Sequence, residues 1–216
     1  MTIQSKENVL KVYKKYNPSI LSHGFNKNFF EKRKKIIIDY LKIPKQNFKG
    51  KIILDLASGT GEIALCYAFL GAKIYCIDAN PFAIQQTKKL FAKYGMSKNL
   101  IKTKVSYLEN VSINKKFDIV NLEGILHHTS NPGLILNKVI KFLKKDSLLI
   151  VGFLSDYGAF QKILQKIIIK NISKTDNEIF KNVKTFFPEG LKRAVLHGRP
   201  EKNIIADAFI NPIVKT

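Results

Sequence analysis

The sequence predicts an α/β fold, in which a doubly wound, mostly parallel sheet carries helices on both of its faces. From residue 50 onward, apolar stretches of strand length alternate with stretches of helical periodicity, which is the pattern of consecutive βαβ units. The first apolar stretch ends in a small-residue loop with two glycines, and ligands of open α/β sheets bind at such loops. Asparagine followed by proline opens two of the predicted helices, because asparagine caps a helix and proline suits its first position.

Two helices are predicted before the sheet. Residues 8–16 carry apolar side chains close to helical spacing, and a second helix with one basic face follows and closes at Pro44. Three aromatic side chains near the start of the second helix either dock it on the sheet, which is the interpretation we favour, or roof a ligand pocket. These side chains are Phe25, Phe29 and Phe30.

The sheet is predicted to contain five strands with helices between them. Runs of Ile, Leu and Val suit strands that are buried on both faces. The predicted strands are residues 52–56, 73–77, 101–107, 117–122 and 147–154. The predicted helices are residues 62–70, residues 81–94 and one that begins at Asn131-Pro132. Crossovers of this length connect parallel strands with right-handed geometry.

Two helical segments are predicted after the last strand. On the first, over residues 160–168, apolar side chains mark one face and lysines, Lys166 among them, mark the other. Such a helix packs on its own domain or covers a pocket, which we favour, or it lies on a membrane surface. The second segment spans residues 180–196 and is broken by Pro188 and Gly190.

Length and composition limit the number of domains. The chain has 216 residues, of which 45% are hydrophobic, so it can bury one sizeable core. We expect a helical cap at 1–47, a ligand-binding core at 48–155, and a helical cover with the start of an incomplete C-terminal region at 156–216. No apolar signal segment or bilayer-length run is present, which predicts a soluble, cytoplasmic protein. Cys66 and Cys76 are predicted to be small core residues.

The formal net charge of +21 raises the hypothesis of a nucleic-acid partner, because a basic surface attracts phosphates. Only Arg33, Arg193 and Arg199 are arginines, and the other 34 of the 37 basic residues are lysines. Bidentate recognition of phosphates and bases favours arginine. We therefore favour solvated lysine surfaces, and nucleic acid remains the alternative.

Asp78 and the glycine loop predict an adenosine ligand. Asp78 ends the predicted second strand, seventeen residues after Gly61, where a carboxylate can accept hydrogen bonds from a ribose diol. Acidic residues at strand ends also cap helices, but Asn80 already occupies the cap position. The loop fits the dinucleotide string G-x-G-x-x-G/A, which alone is weak evidence.

Asp55 distinguishes between the ligands that such a loop can bind. It precedes the first glycine of the loop by four residues, and Glu62 directly follows the second. A pyrophosphate at the amino terminus of a helix would be opposed by these carboxylates, whereas a cationic ligand would be attracted. The loop therefore suits an adenosine nucleoside with a positively charged tail better than it suits NAD.

Three motifs carry a resemblance to a known family. The first spans residues 53–61, the second is Ile77-Asp78-Ala79, and the third runs from residue 117 to 120 and continues over residues 124–129. Together they resemble the class I S-adenosylmethionine-dependent methyltransferases, in the group with small-molecule and ubiquinone-type enzymes. The resemblance covers roughly residues 48–154.

The resemblance implies roles for particular residues. The loop at 57–61 would hold the methionine portion of S-adenosylmethionine, Asp78 the ribose hydroxyls, the turn at Leu108 and Glu109 the adenine edge, and Leu122 would lie beneath the sulfonium. The cofactor-binding residues implied or inferred are Asp55, Ala57, Ser58, Gly59, Gly61, Asp78, Ala79, Leu108, Glu109 and Leu122.

The sequence departs from the family in two places that affect the fold. Ala57 stands where the family usually has glycine, which predicts either a backbone that avoids positive φ or a slightly shifted loop. Class I sheets normally finish with two further strands in a C-terminal hairpin, and the sequence ends before these can be placed. The hairpin is therefore expected to be missing.

Methyl transfer from a sulfonium is an in-line displacement, so the protein aligns the reactants and excludes water. A base is needed only when the acceptor carries a proton, as a phenol does, and histidine suits that task. His127 and His128 follow the fourth strand. Either they hydrogen-bond the backbone and shape the loop, or His128 acts as the general base, with His127 as the second candidate.

Three classes of function follow. We favour a methyltransferase with a small-molecule acceptor, because the chain ends offer aromatic covers (Tyr13, Tyr16, Phe25, Phe160) rather than a nucleic-acid module. The alternatives are an RNA or protein methyltransferase and a non-catalytic protein with a cofactor fold. An NAD-dependent reductase is more distant, no metal site is predicted, and the sequence does not fix the oligomeric state.

Overall fold

A computed structural model describes residues 6–17, 25–129, 131–153, 156–195 and 199–211. These residues form two compact units. The sheet unit contains residues 25–126 and 131–152, and the helical unit contains residues 127–129 together with the described residues before 18 and after 152. The division into a cap, a core and a cover segment stays a prediction.

The sheet unit contains five parallel strands in the order β3-β2-β1-β4-β5. The strands are β1 (Ile52–Leu56), β2 (Lys73–Asp78), β3 (Leu100–Val105), β4 (Phe117–Glu123) and β5 (Leu143–Gly152). Because β1 lies at the centre and the strand order reverses there, the carboxyl ends of β1 and β4 flank a topological switch point, where ligands of such sheets bind. The predicted doubly wound parallel sheet is confirmed.

Helices cover both faces of this sheet. They are α2 (Lys27–Lys35), α3 (Glu62–Phe69), α4 (Pro81–Lys93) and α5 (Pro132–Ile140). Residues of α3 and α4 share a buried cluster with Ile53 and Ile74, whereas α5 packs with Leu54 and Leu56 on the opposite face. Asn80 and Asn131 cap α4 and α5 as predicted, each accepting a backbone N–H bond through its side chain.

Among the strands, the described boundaries differ from the predicted ones mainly at β5; α2 also ends at Lys35, well before the predicted Pro44. This strand begins at Leu143, four residues earlier than predicted, because it continues through Lys144, Lys145 and Asp146. Charged residues mask the strand pattern there, and Asp146 has a positive φ of 57°. In the described part of the chain after Gly152, only helices follow.

The aromatic residues at the start of α2 dock this helix. Phe25 stacks on Phe69 with ring centroids 5.7 Å apart and contacts Tyr94 edge-on at 5.1 Å. Phe30 packs on Phe69 at 5.3 Å. The favoured interpretation, docking rather than roofing a pocket, is confirmed, and Phe25 is a core residue instead of a cover for the acceptor.

The helical unit contains α1 (Lys6–Tyr16), α6 (Asp156–Asn171), α7 (Asp176–Phe186), α8 (Pro188–Val195) and α9 (Glu201–Ile205), followed by a wider helical turn at Ala206–Ile210. Its core includes Ile169, Val183 and Ile205. As predicted, the helical segment is interrupted at Pro188, which is the first residue of α8. Gly190 lies inside α8 and does not break it.

The predicted orientation of α6 is wrong. Most side chains of the apolar face, which was expected to pack on its own domain, are exposed, with 64% of Phe160 and 51% of Ile168 accessible to solvent. Lys166, assigned to the solvent face, is 5% exposed, and Ile169 is completely buried. The helix is therefore rotated so that a lysine of its polar face points into the unit.

Cys66 and Cys76 are buried free thiols, as predicted, and burial raises the pKa of Cys66 to about 12. Among the described residues, no helix combines the length and the apolar character needed to cross a bilayer.

Candidate active site

The loop between β1 and α3 forms a tight cradle at the carboxyl end of the central strand. Three of its residues have positive φ: Ala57 at 55°, Gly59 at 56° and Gly61 at 88°. The Ser58 backbone N–H donates to the Ile77 carbonyl at 3.1 Å and thereby ties the loop to β2. We call residues 57–61, together with Asp55 and Asp78, the cradle.

Ala57 adopts the conformation that its residue type disfavours. The departure from glycine predicted a backbone that avoids positive φ or a shifted loop, yet φ at Ala57 is 55°. The first of these expectations is wrong, because the surrounding loop imposes the left-handed conformation on alanine. That conformation costs an L-residue roughly 1–2 kcal/mol.

Gly61 is required for helix packing as well as for its backbone conformation. A Cβ atom at this position would lie 2.7 Å from Cγ2 and 2.9 Å from Oγ1 of Thr87. The Thr87 hydroxyl donates to the Ala83 carbonyl at 3.0 Å and lies 3.2 Å from the Gly59 carbonyl. A side chain of α4 therefore fills the space beside Gly61.

Asp78, the last residue of β2, holds the cradle together. Its Oδ2 accepts the Gly59 backbone N–H at 2.9 Å, and its Oδ1 accepts the Asn80 backbone N–H at 2.8 Å. Burial raises the pKa of Asp78, and these two N–H bonds oppose the rise. Each oxygen retains a lone pair, so the carboxylate can brace the loop and still accept a hydrogen bond from a ligand.

Asp55 is buried in the sheet with one oxygen unpaired. It is 2% exposed, its Oδ1 accepts a bond from Asn121 Nδ2 at 2.7 Å, and its Oδ2 is buried without a partner among the described residues. Burial raises the pKa of Asp55 to about 7, while the Asn121 bond and Arg33 lower it. A buried oxygen without a donor is costly, so Oδ2 is suited to a cationic or N–H-bearing ligand.

Glu62 adds a third carboxyl group at the first turn of α3. Its two carboxyl oxygens lie 2.8 and 2.6 Å from the Thr60 hydroxyl, which can donate to either. Burial raises the pKa of Glu62, and the Thr60 bond opposes the rise. Asp55, Glu62 and Asp78 thus give this loop an acidic character that a pyrophosphate would not tolerate.

The remaining predicted cofactor residues lie at neighbouring strand ends of the same unit. Ala79 follows β2 directly, and Leu108 and Glu109 begin a 3₁₀ turn after β3. The backbone carbonyl of Glu109 accepts a bond from the Lys138 ammonium, which fixes that turn to α5. Leu122 is completely buried within the sheet core. All ten predicted cofactor residues therefore belong to the sheet unit.

A partly buried ion pair that acts on the charge of Asp55 could not be predicted from the sequence. Arg33, which belongs to the helix predicted to carry one basic face, has a side chain only 10% exposed and pairs with Glu123 at the end of β4. Its Nη2 also lies 3.4 Å from the Tyr67 hydroxyl, which donates to Asn121 at 3.0 Å. Burial lowers the pKa of Arg33, but Tyr67 and Glu123 raise it by more. The rarity of arginine in this lysine-rich chain is the one sequence signal that pointed to it.

The predicted catalytic histidines belong to the helical unit. His127 and His128 follow one another with ring centroids 4.2 Å apart. His128 Nε2 lies 3.5 Å from Asn211 Nδ2, which is 3.3 Å from Asp207 Oδ1, and its ring meets Tyr13 edge-on at 6.2 Å. Burial lowers the pKa of His127, against the influence of Asp207. We call His127, His128, Asp207 and Asn211 the histidine cluster.

Residues 47–196 match a family described as a methyltransferase domain. The match covers more than half of the chain and includes every strand of the sheet and every residue of the cradle. The chain belongs to this family. The resemblance to class I S-adenosylmethionine-dependent methyltransferases is thereby confirmed, and with it the assignment of the chain to a family of methyltransferase enzymes.

Curated relatives of this chain differ in their named substrates. It is 28% identical over 108 residues to a mitochondrial ubiquinone biosynthesis O-methyltransferase of Schizosaccharomyces pombe, covering 50% of this chain and 39% of the relative. It is 31% identical to protein arginine N-methyltransferase 6 of Danio rerio over 49% of this chain and 31% of the relative. The chain thus spans about a third of the length of these two curated relatives.

A third relative is matched over most of its length. Ribosomal RNA small subunit methyltransferase G of Prochlorococcus marinus is 27% identical, with 74% of this chain and 73% of the relative covered. Among solved structures, the PH0226 protein of Pyrococcus horikoshii superposes with a TM-score of 0.55 at 19% identity, covering 72% of this chain and 71% of that chain. Its likeness supports the fold. The relatives agree with the methyltransferase family and leave the acceptor class open.

Proposed function

We propose that this protein transfers a methyl group from S-adenosylmethionine to a small-molecule acceptor by in-line displacement. The observation that carries the cofactor assignment is the buried, unpaired Oδ2 of Asp55 behind the glycine loop. This oxygen needs a donor, and the ammonium group of a methionine moiety is a donor of matching charge. The match to the methyltransferase family supports the same assignment.

The residues of the cradle fit this cofactor. Asp55 would face the ammonium group, the positive-φ loop at 57–61 would leave its backbone close to the ligand, and Asp78 would accept from the ribose hydroxyls with the lone pairs that its two N–H bonds leave free. Leu108 and Glu109 would border the adenine, and Leu122 would form the apolar floor. Bound there, S-adenosylmethionine supplies an activated methyl group on a sulfonium.

The protein's own residues orient the reactants and accept one proton from the acceptor. The cradle fixes the donor, which converts a bimolecular reaction into an oriented one. For an acceptor with an acidic O–H, we assign His128 as the general base and His127 as the alternative. Asn211 Nδ2 lies 3.5 Å from His128 Nε2, so a neutral His128 accepting that bond carries its proton on Nδ1. A ring rotation or release of Asn211 is then needed before Nε2 can accept the substrate proton.

The choice of a small-molecule acceptor is supported by two relatives. The chain is similar to ubiquinone biosynthesis O-methyltransferases of Schizosaccharomyces pombe and of Pelagibacter ubique, the second at 29% identity over 62% of this chain. A quinone-type phenol is an acceptor that requires a base. This substrate class is consistent with the histidines after β4.

Calorimetric titration of the purified chain tests the cofactor assignment. S-adenosylmethionine and S-adenosylhomocysteine are each expected to bind with micromolar affinity, and NADH is not. Asp78→Ala is expected to abolish both interactions, because it removes the ribose acceptor and releases the Gly59 N–H. Exposed Asp39→Ala in the same unit serves as the matched control and should bind normally. Binding of NADH alone would overturn the proposal.

An RNA acceptor is the second candidate, and a basic groove in the sheet unit favours it. Two adjoining cavities of about 670 and 720 Å³ share residues 112–115. Their linings include Lys102, Lys104, Lys115, Lys116, Lys138 and Lys141 and no acidic side chain. Binding of single-stranded RNA that weakens steeply with salt, together with loss on Lys102→Glu, would favour this acceptor. The absence of RNA retention at low salt would remove it.

A further inference from the structure

A chain of hydrogen bonds runs from Arg33 to Asp55 through the interior of the sheet unit. Arg33 Nη2 lies 3.4 Å from the Tyr67 hydroxyl, this hydroxyl lies 3.0 Å from Asn121 Oδ1, and Asn121 Nδ2 lies 2.7 Å from Asp55 Oδ1. Four elements contribute one residue each: α2, α3, β4 and β1. Tyr67, Asn121 and Asp55 are at most 2% exposed, so water does not compete for these bonds.

The donors and acceptors of this chain can be assigned in one direction. Arginine has only donors, and an ionised carboxylate has only acceptors. Asn121 must therefore turn its amide nitrogen to Asp55, which leaves its oxygen for Tyr67. The Tyr67 hydroxyl then donates to Asn121 and accepts from Arg33. Every bond thus points its hydrogen toward Asp55, and bonds aligned in this way polarise one another.

Glu123 is a second possible acceptor for the single hydroxyl proton of Tyr67. Its Oε1 lies 3.4 Å from the Tyr67 hydroxyl, farther than Asn121 Oδ1 at 3.0 Å. The same Oε1 is paired with Arg33, which satisfies the carboxylate. With Glu123 neutralised by Arg33, the Tyr67 proton is free to serve Asn121. Removal of Arg33 would leave the partly buried carboxylate of Glu123 without its partner and competing for this proton.

We propose that Arg33 and Tyr67 are positioning residues for Asp55: through Asn121 they favour the ionised form of its carboxylate, with Oδ2 left unpaired for the cationic end of the ligand. The proposal rests on the proposed function, because it assigns the ligand's ammonium group to Oδ2. According to this proposal, a residue of α2 contributes to the affinity of the cofactor site, although α2 lies outside the predicted core of 48–155.

The charges around Asp55 set the sign of the pH dependence. Besides Asn121, the groups that act on Asp55 are Glu123 and Asp78, which raise its pKa, and Arg33, which lowers it; the neutral Tyr67 and Cys76 also face it. With the pKa of Asp55 near 7 in the ligand-free protein, a cation binds the ionised form and expels a proton. Affinity should therefore rise as the pH rises through 7 and fall by up to about tenfold per pH unit below it.

The test compares the affinity for S-adenosylhomocysteine from pH 5.5 to 8.5 in four forms of the full chain. Tyr67→Phe removes one hydroxyl while the ring keeps its stacking on Phe48 at 5.6 Å. It is expected to raise the midpoint pH of the affinity profile by about 0.5–1 unit, which corresponds to the free energy of one hydrogen bond. Arg33→Met should move it further. Lys32→Met removes the same charge from the exposed side of the same helix and should leave the wild-type profile unchanged.

A second measurement keeps the proposal testable without ligand. Carbon-13 NMR of the Asp55 carboxyl reports its titration directly, and the same upward shift is expected in Tyr67→Phe. If Arg33→Met does not fold, Tyr67→Phe still decides the question. If Tyr67→Phe has the wild-type midpoint both in the affinity profile and in the NMR titration, the positioning role is overturned. Absence of any S-adenosylhomocysteine binding by the wild-type chain would instead refute the proposed function, with the NMR titration still testing the network.

Discussion

The cradle and the histidine cluster are both sets of polar residues, but the chain assembles them in different ways. The cradle takes its carboxylates from the ends of β1 and β2, which are hydrogen-bonded neighbours with Asp55 opposite Cys76. The histidine cluster joins His128 to Asp207 and Asn211, about eighty residues further along the chain. The register of a parallel sheet fixes the first arrangement. Only the packing of the helical unit fixes the second.

This difference has consequences for substitutions. The cradle bonds are short, between 2.7 and 2.9 Å for Asp55 and Asp78, and they connect elements of the central sheet. The bonds of the histidine cluster are 3.3 and 3.5 Å long and connect side chains of the helical unit. Changes in the cradle should therefore alter stability and cofactor affinity together, whereas changes in the histidine cluster should alter turnover alone.

The largest effect is expected for Gly61→Ala. The added Cβ would lie 2.7 Å from Thr87 at a φ of 88°, so strain and overpacking together should lower the free energy of unfolding by about 3 kcal/mol or more. Chemical denaturation measures the loss, and calorimetry the accompanying loss of cofactor affinity.

Gly95→Ala is the matched control for Gly61→Ala. Gly95 also has positive φ, 68°, but nothing lies within 4 Å of its added Cβ, so the cost should be only about 1 kcal/mol. Equal costs at the two positions would contradict the view that α4 packs against the cradle.

An intermediate effect is expected for His128→Ala, confined to catalysis. With an acceptor that must lose a proton, turnover should fall on the order of 100-fold or more, while the affinity for S-adenosylmethionine stays at the wild-type value. Steady-state kinetics and calorimetry measure the two quantities. Unchanged turnover would give His128 a structural role, and parallel loss of affinity would show that the two polar sets are not independent.

The smallest effect is expected for Ala57→Gly. Glycine removes the penalty of the left-handed conformation at φ 55° but increases the entropy of the unfolded chain, so the net stabilisation should be about 0.5–1 kcal/mol. Ala92→Gly in the exposed part of α4 should instead destabilise by about 1 kcal/mol. If Ala57→Gly lowers the free energy of unfolding instead, the alanine methyl group makes stabilising contacts in the cradle.

Much of the sheet unit could be predicted from local pattern. The limits of β1 were predicted to the residue, and Asp55 and Asp78 were placed at strand ends, because apolar runs and glycine punctuation are local signals. The beginning of β5 could not be predicted, since Lys144, Lys145 and Asp146 carry no strand pattern. The pairing of Arg33 could not be predicted either, because its partner Glu123 is ninety residues away in the sequence.

The sequence by itself determined the elements, the sheet and the acidic loop, because these depend on periodicity and on residues close together in the chain. The tertiary structure alone decided which face of a helix is buried where the sequence pattern allowed either face to pack. In α6 it turned Lys166 inward, where its ammonium donates to the Asn211 carbonyl and burial lowers its pKa to about 7. In α2 it turned Arg33 toward Glu123. A buried cation is stable only beside a partner that satisfies it, and such partners are brought close only by folding.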